Sequence, residues 1–249
     1  MKLKDKVAIV TGAGRGIGAA IAQAYAREGA AVVVNYSASA EAAAGVVQAI
    51  ESAGGRAVAH RADVGNLDSH EGLVQCTLTH FGRVDILVNN AAIDRRVPIL
   101  DAAPEQWDAV FNVNLRGAYF LAQRAASEMA KTGGGAVLNI ASVHDEQAHR
   151  NNSIYTIAKG GMKLMTRCMA LEWAPLGIRV NSLSPGAILT DINRAVLADD
   201  AYKQRVLEMI PLRRIGSVDD LTAAAVLLVS SEGSYITGST FYIDGGLLL

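Results

Sequence analysis

Tyr155 and Lys159 stand four residues apart in a stretch, Tyr155 to Trp173, whose apolar residues recur at helical spacing. Residues four apart share one helix face. A cation beside a phenol favours the phenolate. The pair is therefore expected to pull the phenol below its ordinary value of about 10, making it a proton donor and acceptor nearer neutral pH. Ser142 lies thirteen residues before Tyr155, just past an apolar strand pattern, Ala136 to Ile140. Its hydroxyl can bond a substrate oxygen beside that phenol. Each feature also has a plainer reading: a Tyr-x-x-x-Lys pair is commonly a surface pairing, and a serine after a strand commonly a turn or helix cap.

Proton chemistry of this kind needs a reactant held beside it, and the start of the chain offers a holder. Thr11-Gly12-Ala13-Gly14-Arg15-Gly16-Ile17-Gly18 follows a β-branched apolar run, Val7 to Val10, and precedes a helical stripe from Ala19 to Glu28. A glycine-rich turn between a buried strand and a helix leaves backbone N–H groups open to a phosphate. The spacing is Gly12-x-x-x-Gly16-x-Gly18, with Ile17 where the G-x-G-x-x-G fingerprint wants glycine.

Beyond this unit, strand and helix patterns alternate. Strands are expected at Ala31–Asn35, Arg56–Arg61, Val84–Asn89, Ala136–Ile140, Ile178–Leu183 and Thr240–Ile243. Helices are expected at Glu41–Ser52, Leu67–Phe81, one long helix from Pro104 to about Lys131, Tyr155–Trp173 and Val218–Val229. The stretch Thr190 to Leu212 reads as variable and partly helical. Continuous apolar strands separated by helices imply an α/β, doubly wound Rossmann fold: a seven-stranded parallel sheet covered on both faces, one domain over residues 1–249. Ligands of such folds bind beyond the carboxyl ends of the strands, where the distinctive residues fall.

The second strand ends in Asn35-Tyr36-Ser37, where an NAD-preferring protein usually has a carboxylate for the ribose hydroxyl. No acid is there to repel a 2′-phosphate. Arg15 can face that phosphate and Ser37 can bond it, so NADP is the expected cofactor, with NAD open. Arg15 also reads as a solvated surface side chain, and Ser37 as a cap for the next helix. Asp63-Val64 ends the third strand and can meet the adenine. Asn90, in Asn89-Asn90-Ala91-Ala92, can bond ribose or main chain, or be a turn asparagine.

Composition narrows the classes. Of 249 residues, 51% are hydrophobic and the formal net charge is −1. Disorder is unexpected, and so is a nucleic-acid or anionic-membrane partner. No apolar run approaches the roughly 18 to 20 residues that span a bilayer, and the charged first residues precede a run too short for a signal peptide. A soluble, cytoplasmic protein is expected. Cys76 and Cys168 match no metal or redox spacing and read as small core residues. His60, His70 and His80 are ten apart, which puts no two on one helix face, so no metal site is expected.

Taken together, these motifs resemble the short-chain dehydrogenase/reductase family. The matching elements are the Thr11–Gly18 loop, Asn89-Asn90-Ala91, Asn114 in Asn112-Val113-Asn114-Leu115, Ser142, Tyr155-x-x-x-Lys159, and Pro185-Gly186 with Thr190, in the family's order over nearly the whole chain. The resemblance implies an oxidoreductase using NADP or NAD. In it Tyr155 is the general acid and base, and Lys159 holds the nicotinamide ribose and tunes Tyr155. Ser142 polarises the carbonyl, and Asn114 holds a water in a proton relay; Asn114 also reads as an asparagine bending a long helix. Pro185, Gly186, Ala187 and Ile188 would border the nicotinamide, with Thr190 on its carboxamide. The family's homotetramer is implied as well, packed through the two long helices and the C-terminal strand region. One departure is Ala92, where the family usually has glycine.

The substrate is less legible. Polar residues follow Ser142 (His144-Asp145-Glu146-Gln147) and precede Tyr155 (His149-Arg150-Asn151-Asn152), which suits a polyhydroxylated small molecule or a solvated rim equally. His144 can touch substrate, although a solvated polar residue is the plainer expectation. Ser142-Val143-His144, Gly160–Thr166, Pro185–Asn193 and Tyr242-Ile243-Asp244-Gly245-Gly246 are similar to stretches of bacterial glucose 1-dehydrogenases. Sugar oxidation at a ring carbon is therefore the first expectation. Reduction of a 3-oxoacyl thioester or another ketone is the second. A non-enzymatic NADP-binding regulator is a third, and it should have lost one of Ser142, Tyr155 or Lys159.

Overall fold

Val7–Val10 (β1) is a run of β-branched and small apolar side chains, and all four are buried. In the computed structural model, which describes residues 1–190 and 199–249, β1 feeds the glycine turn and helix α1 (Gly16–Arg27). Then come β2 (Ala31–Tyr36), α2 (Ala40–Ser52), β3 (Arg56–Arg61), α3 (Asp68–Phe81) and β4 (Ile86–Asn89). Next are α4 (Pro104–Phe111), a π-turn (Asn112–Gly117), α5 (Ala118–Lys131), β5 (Gly135–Ile140) and α6 (Ser153–Trp173). The described chain ends with β6 (Ile178–Pro185), α7 (Asp200–Met209), α8 (Asp219–Val229) and β7 (Thr240–Ile243). Of the variable stretch read from Thr190 to Leu212, residues 191–198 lie outside the described residues and α7 supplies the helical part.

All seven strands pair in parallel, in the order β3-β2-β1-β4-β5-β6-β7. The winding reverses between β1 and β4, and the crevice of a doubly wound sheet opens at the carboxyl ends beside that reversal. Successive strand residues point to opposite faces. Ala8, Val10, Val32, Val34, Ile86 and Val88 face the core shared with α1, α2 and α8. Ile9, Val33, Leu87 and Val137 face the core shared with α3, α5 and α6. Among the described residues no helix is long and apolar enough to cross a membrane.

The long helix expected from Pro104 to Lys131 runs over that whole range, but its middle, Asn112–Gly117, is widened into a π-turn. The cause is tertiary. A Cβ on Gly117 would collide with the Val64 carbonyl, so glycine lets the helix press against the end of β3. Asn114, fully buried in the widened turn, accepts from Ile93 N–H and donates to the Ile93 carbonyl, each at 2.9 Å. π-turns of this kind recur at functional sites.

Buried asparagines tie the strand ends to the helix bearing Tyr155. Asn89 Nδ2 donates to Asn139 Oδ1 at 2.9 Å, and Asn139 Nδ2 donates to Thr166 Oγ1 at 2.9 Å. This chain links β4, β5 and α6. Both cysteines depart from the core expectation: Cys168 is exposed on the outer face of α6 and Cys76 only partly buried.

Candidate active site

Four turns and strand ends build one end of the sheet into a cleft. The glycine turn comes first. Gly12 and Gly16 have φ of 60° and 57°, which glycine adopts without strain. Arg15, the residue before α1, gives no side-chain cap, so the helix's first N–H groups stay open, as a pyrophosphate requires. Thr190 lies across from Gly16, with Cγ2 3.8 Å from where a Cβ would stand. The residues present therefore fit a dinucleotide along the turn.

Gly18 is required for a different reason. A Cβ there would sit 2.5 Å from Asn90 Nδ2 and 2.6 Å from the Gly12 carbonyl. Asn90 Nδ2 donates to Thr11 O at 2.8 Å and Gly12 O at 3.2 Å, and Thr11 Oγ1 accepts from Asn90 N and Ala91 N at 2.9 and 3.0 Å. Of the partners expected for Asn90, the main chain thus takes its Nδ2. Asn35 is spent the same way: buried, it accepts from Gly12 N at 3.3 Å and donates to Ala62 O at 3.0 Å. Ala92 is exposed and outside the left-handed region, so its methyl meets no strain. Gly18→Ala must displace Asn90 and open the turn, a cost of about 1–3 kcal/mol. We expect NADP to bind at least about tenfold more weakly by calorimetric titration; an unchanged Kd contradicts this.

The end of β2 departs from the sequence reading in detail. Ser39, not Ser37, caps α2 by accepting from Ala42 N at 3.3 Å. The Ser37 carbonyl instead accepts from Arg61 Nε at 3.1 Å, because β2 and β3 pair with Tyr36 opposite Arg61. Gly14 touches the start of α2 at Ala42 and Ala43. Exposed Arg61 and Ser37 are thus joined at the end of β2, and exposed Arg15 follows the Gly14 that touches the start of α2. Among the described residues neither arginine is ion-paired. Sequence reasoning missed Arg61, since its only signal is the strand register. Asp63 accepts from Gly65 N at 2.9 Å, and the Val64 carbonyl meets His70 Nε2 at 2.9 Å, so this turn is fixed from within.

The reactive side chains meet at the end of β5. Ser142 caps the short 3-10 turn Val143–Asp145, its Oγ accepting from His144 N at 3.2 Å. The cap reading is thus met, and the hydroxyl proton remains to donate. Lys159 is 1% exposed and donates from Nζ to Ile140 O at 2.7 Å, two residues before Ser142. Its ammonium lies 5.5 Å from the Tyr155 ring centre. The Ser142 hydroxyl sits beside the Tyr155 hydroxyl and pulls its pKa down.

That pull is outweighed. Burial pushes the Tyr155 phenol up to about 12, with the Asp94 charge adding to it. The expected lowering by Lys159 is therefore not what the chain's own groups produce. Lys159 points at a carbonyl rather than at the phenol oxygen, and burial lowers its own pKa to about 8. His144 stands edge-on to Tyr155 at 6.0 Å and to His149 at 5.4 Å. It is half-buried rather than solvated, and burial lowers its pKa. Asp94 and Arg96, ion-paired at 3.0 Å, come within electrostatic reach of Tyr155 and His144 and were not singled out from sequence.

Beyond β6, Gly186 N donates to Ile243 O at 3.0 Å, and a Cβ on Gly186 would meet Asp244 Cα at 2.6 Å. Pro185 ends β6, and Ile188, two residues before Thr190, bridges to Gly216. Among the described residues no three His, Cys, Asp or Glu are grouped for a metal.

Comparison with known proteins agrees with this arrangement. A family model described as enoyl-(acyl carrier protein) reductase matches residues 12–248. The chain is 39% identical over 248 residues to 3beta-hydroxysteroid dehydrogenase 1 of Eggerthella lenta, covering 99% of this chain and 95% of that protein. It is 39% identical over 253 residues to glucose 1-dehydrogenase 2 of Bacillus subtilis, covering 99% and 96%. A solved gluconate 5-dehydrogenase from Burkholderia cenocepacia, in complex with NADP and tartrate, superposes with a TM-score of 0.94 at 36% identity, covering 99% of this chain and 96% of that one. The chain belongs to the short-chain dehydrogenase/reductase family of NAD(P)-dependent oxidoreductases.

Proposed function

We propose that the protein oxidises a secondary alcohol of a polyhydroxylated sugar, at the ring carbon as glucose 1-dehydrogenases do, with NADP preferred over NAD. The observation that carries the site is the Lys159–Ile140 bond, which holds an ammonium at one strand end within 5.5 Å of the Tyr155 ring. The turn Gly12, Gly14, Arg15, Gly16, Ile17 and Gly18 would hold the pyrophosphate. Pro185, Gly186, Ile188 and Thr190 would border the nicotinamide, and Asp63 and Val64 the adenine. When bound, NADP supplies the hydride acceptor. The chain's own part is proton work. Tyr155 takes the substrate hydroxyl proton while Ser142 donates to the same oxygen, and His144 and His149, edge-on to one another at 5.4 Å, would face the substrate's polar groups. Lys159 provides a fixed positive charge near the phenolate as it forms. Asn114 anchors the Ile93 segment through its side chain, so a relay water there would be held by main chain.

Arg15, Ser37 and Arg61 would receive the 2′-phosphate. A guanidinium to phosphate bond contributes about 1.5–3 kcal/mol. Arg61→Gln is expected to weaken NADP binding by at least about tenfold and leave NAD binding unchanged by calorimetry. Equal losses for both cofactors contradict the assignment.

Support for the sugar comes from the polar rim and from the named activities of two relatives; the family model's description and the steroid relative keep ketone or 3-oxoacyl thioester reduction as a second reading. A panel of sugars, hydroxysteroids and oxoacyl thioesters, run with both cofactors, separates these. Turnover with glucose but not with thioesters supports the first. Tight NADP binding with no turnover on any compound contradicts both and favours a regulator. We also propose a cytoplasmic homotetramer. Ile157, Leu164 and Leu171 form an exposed stripe along α6, at 50%, 60% and 80% exposure, with Trp107, Tyr119 and Phe120 also exposed. Light scattering that returns the monomer mass contradicts this assembly.

A further inference from the structure

A second polar cluster adjoins the site and is built from four elements. Asp145 accepts from the Ser184 hydroxyl of β6 at 2.5 Å and the Tyr242 hydroxyl of β7 at 2.9 Å. Lys163 of α6 donates to the Tyr242 oxygen at 3.1 Å, lies 5.8 Å from that ring's centre, and is ion-paired with Glu146. Tyr155, Lys159 and Lys163 follow one another at four-residue steps, so the cluster continues the reactive stripe along α6.

Charge accounting separates its members. Lys163 and Glu146 neutralise each other. Asp145 has two hydroxyl donors but no cation at ion-pair distance among the described residues. Lys159 is the converse: a buried ammonium whose hydrogen-bond partners are the Ile140 carbonyl and, at 4.0 Å, Met162 sulfur, with no carboxylate at ion-pair distance among the described residues. The turn bearing Asp145 packs against α6, the helix bearing Lys159. Asp145 N donates to Ser142 O at 2.9 Å, and Lys159 grips the residue two before Ser142. A buried ammonium lacking a direct counter-ion is costly. A carboxylate fixed nearby compensates it through the weakly screening interior.

We infer that Asp145, tethered by Ser184 and Tyr242, is a positioning residue that supplies the counter-charge for Lys159 and locks the turn carrying Ser142. Its catalytic consequence rests on the proposed function. Asp145 opposes burial at Lys159, and it also holds the Tyr155 phenol up. Other charged and titratable groups face this network. From α6 come Tyr155, Lys163 and Arg167; from the end of β7, Tyr242 and Asp244; from its own turn, His144 and Glu146. The loop after β4 contributes Asp94 and Arg96, which act on Tyr155 with opposite sign.

Two measurements test this. The first needs no activity. Unfolding stability is followed from pH 6 to 10, and the rise contributed by Lys159 should begin at lower pH in Asp145→Asn than in the parent; Asp145→Glu should restore it. The second is the pH profile of kcat/KM for alcohol oxidation. In Asp145→Asn its acidic limb should move down by about 1 unit, because both Lys159 and Tyr155 lose a charge that raised them. Tyr242→Phe removes a tether but keeps the charge. It should lower kcat by about fivefold, the effect of one hydrogen bond, with the limb in place. An Asp145→Asn protein that melts lower while both profiles stay put overturns the inference. A parent enzyme without turnover on any substrate, but with the stability shift present, fails the proposed function and leaves the Asp145–Lys159 coupling standing.

Discussion

Tyr155→Phe is expected to lower kcat/KM by at least about 10³-fold while NADP affinity stays within about twofold. The ring contacts survive the change: Lys159 Nζ still lies over the ring at 5.5 Å and His144 still meets it edge-on at 6.0 Å. Only the hydroxyl that gives and takes the proton is lost. The chain alone holds that phenol near 12, so alcohol oxidation, which needs the phenolate, should quicken as pH rises through the neutral and mildly alkaline range. The positive ring of oxidised nicotinamide would add to the pull of Lys159 on the phenolate. A phenylalanine variant that keeps more than a tenth of the parent's kcat/KM contradicts the role given to Tyr155.

Lys159→Met is expected to cost about 10²- to 10³-fold in kcat/KM and no stability at neutral pH. Methionine fills nearly the same space without a charge to desolvate, and a buried charge without a direct partner is costly. The pH dependence of folding makes this sharper. Lys159 falls from 10.5 in the unfolded chain to about 8 in the fold. Below pH 8 both states hold the proton. Between about 8 and 10.5 the unfolded chain binds more protons than the folded one, so stability rises with pH there. Tyr155 acts in the opposite sense only above 10, where the fold keeps a proton the unfolded chain has lost. Chemical denaturation from pH 8 to 10 should show the rise in the parent and not in Lys159→Met. A methionine variant that melts several degrees lower at neutral pH, or keeps the rise, contradicts this account.

Much of the site was legible because it is written locally. The β1–turn–α1 unit needs only its own glycines and apolar runs, and Arg56–Arg61 and Thr240–Ile243 match their strands end to end. Tyr155 and Lys159 share a face by helical spacing alone. What stayed hidden depends on distant parts of the chain. The π-turn at Asn112–Gly117 exists because Gly117 abuts Val64 and Asn114 grips Ile93. Arg61 reaches Ser37 only through the β2–β3 register. The direction of the Tyr155 shift is hidden from sequence because spacing reveals a neighbouring charge but not the burial that outweighs it. Burial also sets the two cysteines apart from their expected place, since the outer face of α6 carries Cys168 beside the exposed stripe of Leu164 and Leu171.

The most direct test mixes the protein with NADP and glucose deuterated at the ring carbon, in a single turnover followed at the absorbance band of reduced nicotinamide. The band is expected to grow in more slowly than with ordinary glucose, deuterium to be recovered on the nicotinamide ring, and Tyr155→Phe to form the band at least about 10³-fold more slowly. Growth of the band at the same rate in Tyr155→Phe, or tight NADP binding with no band from glucose or any other alcohol, would contradict the proposed function.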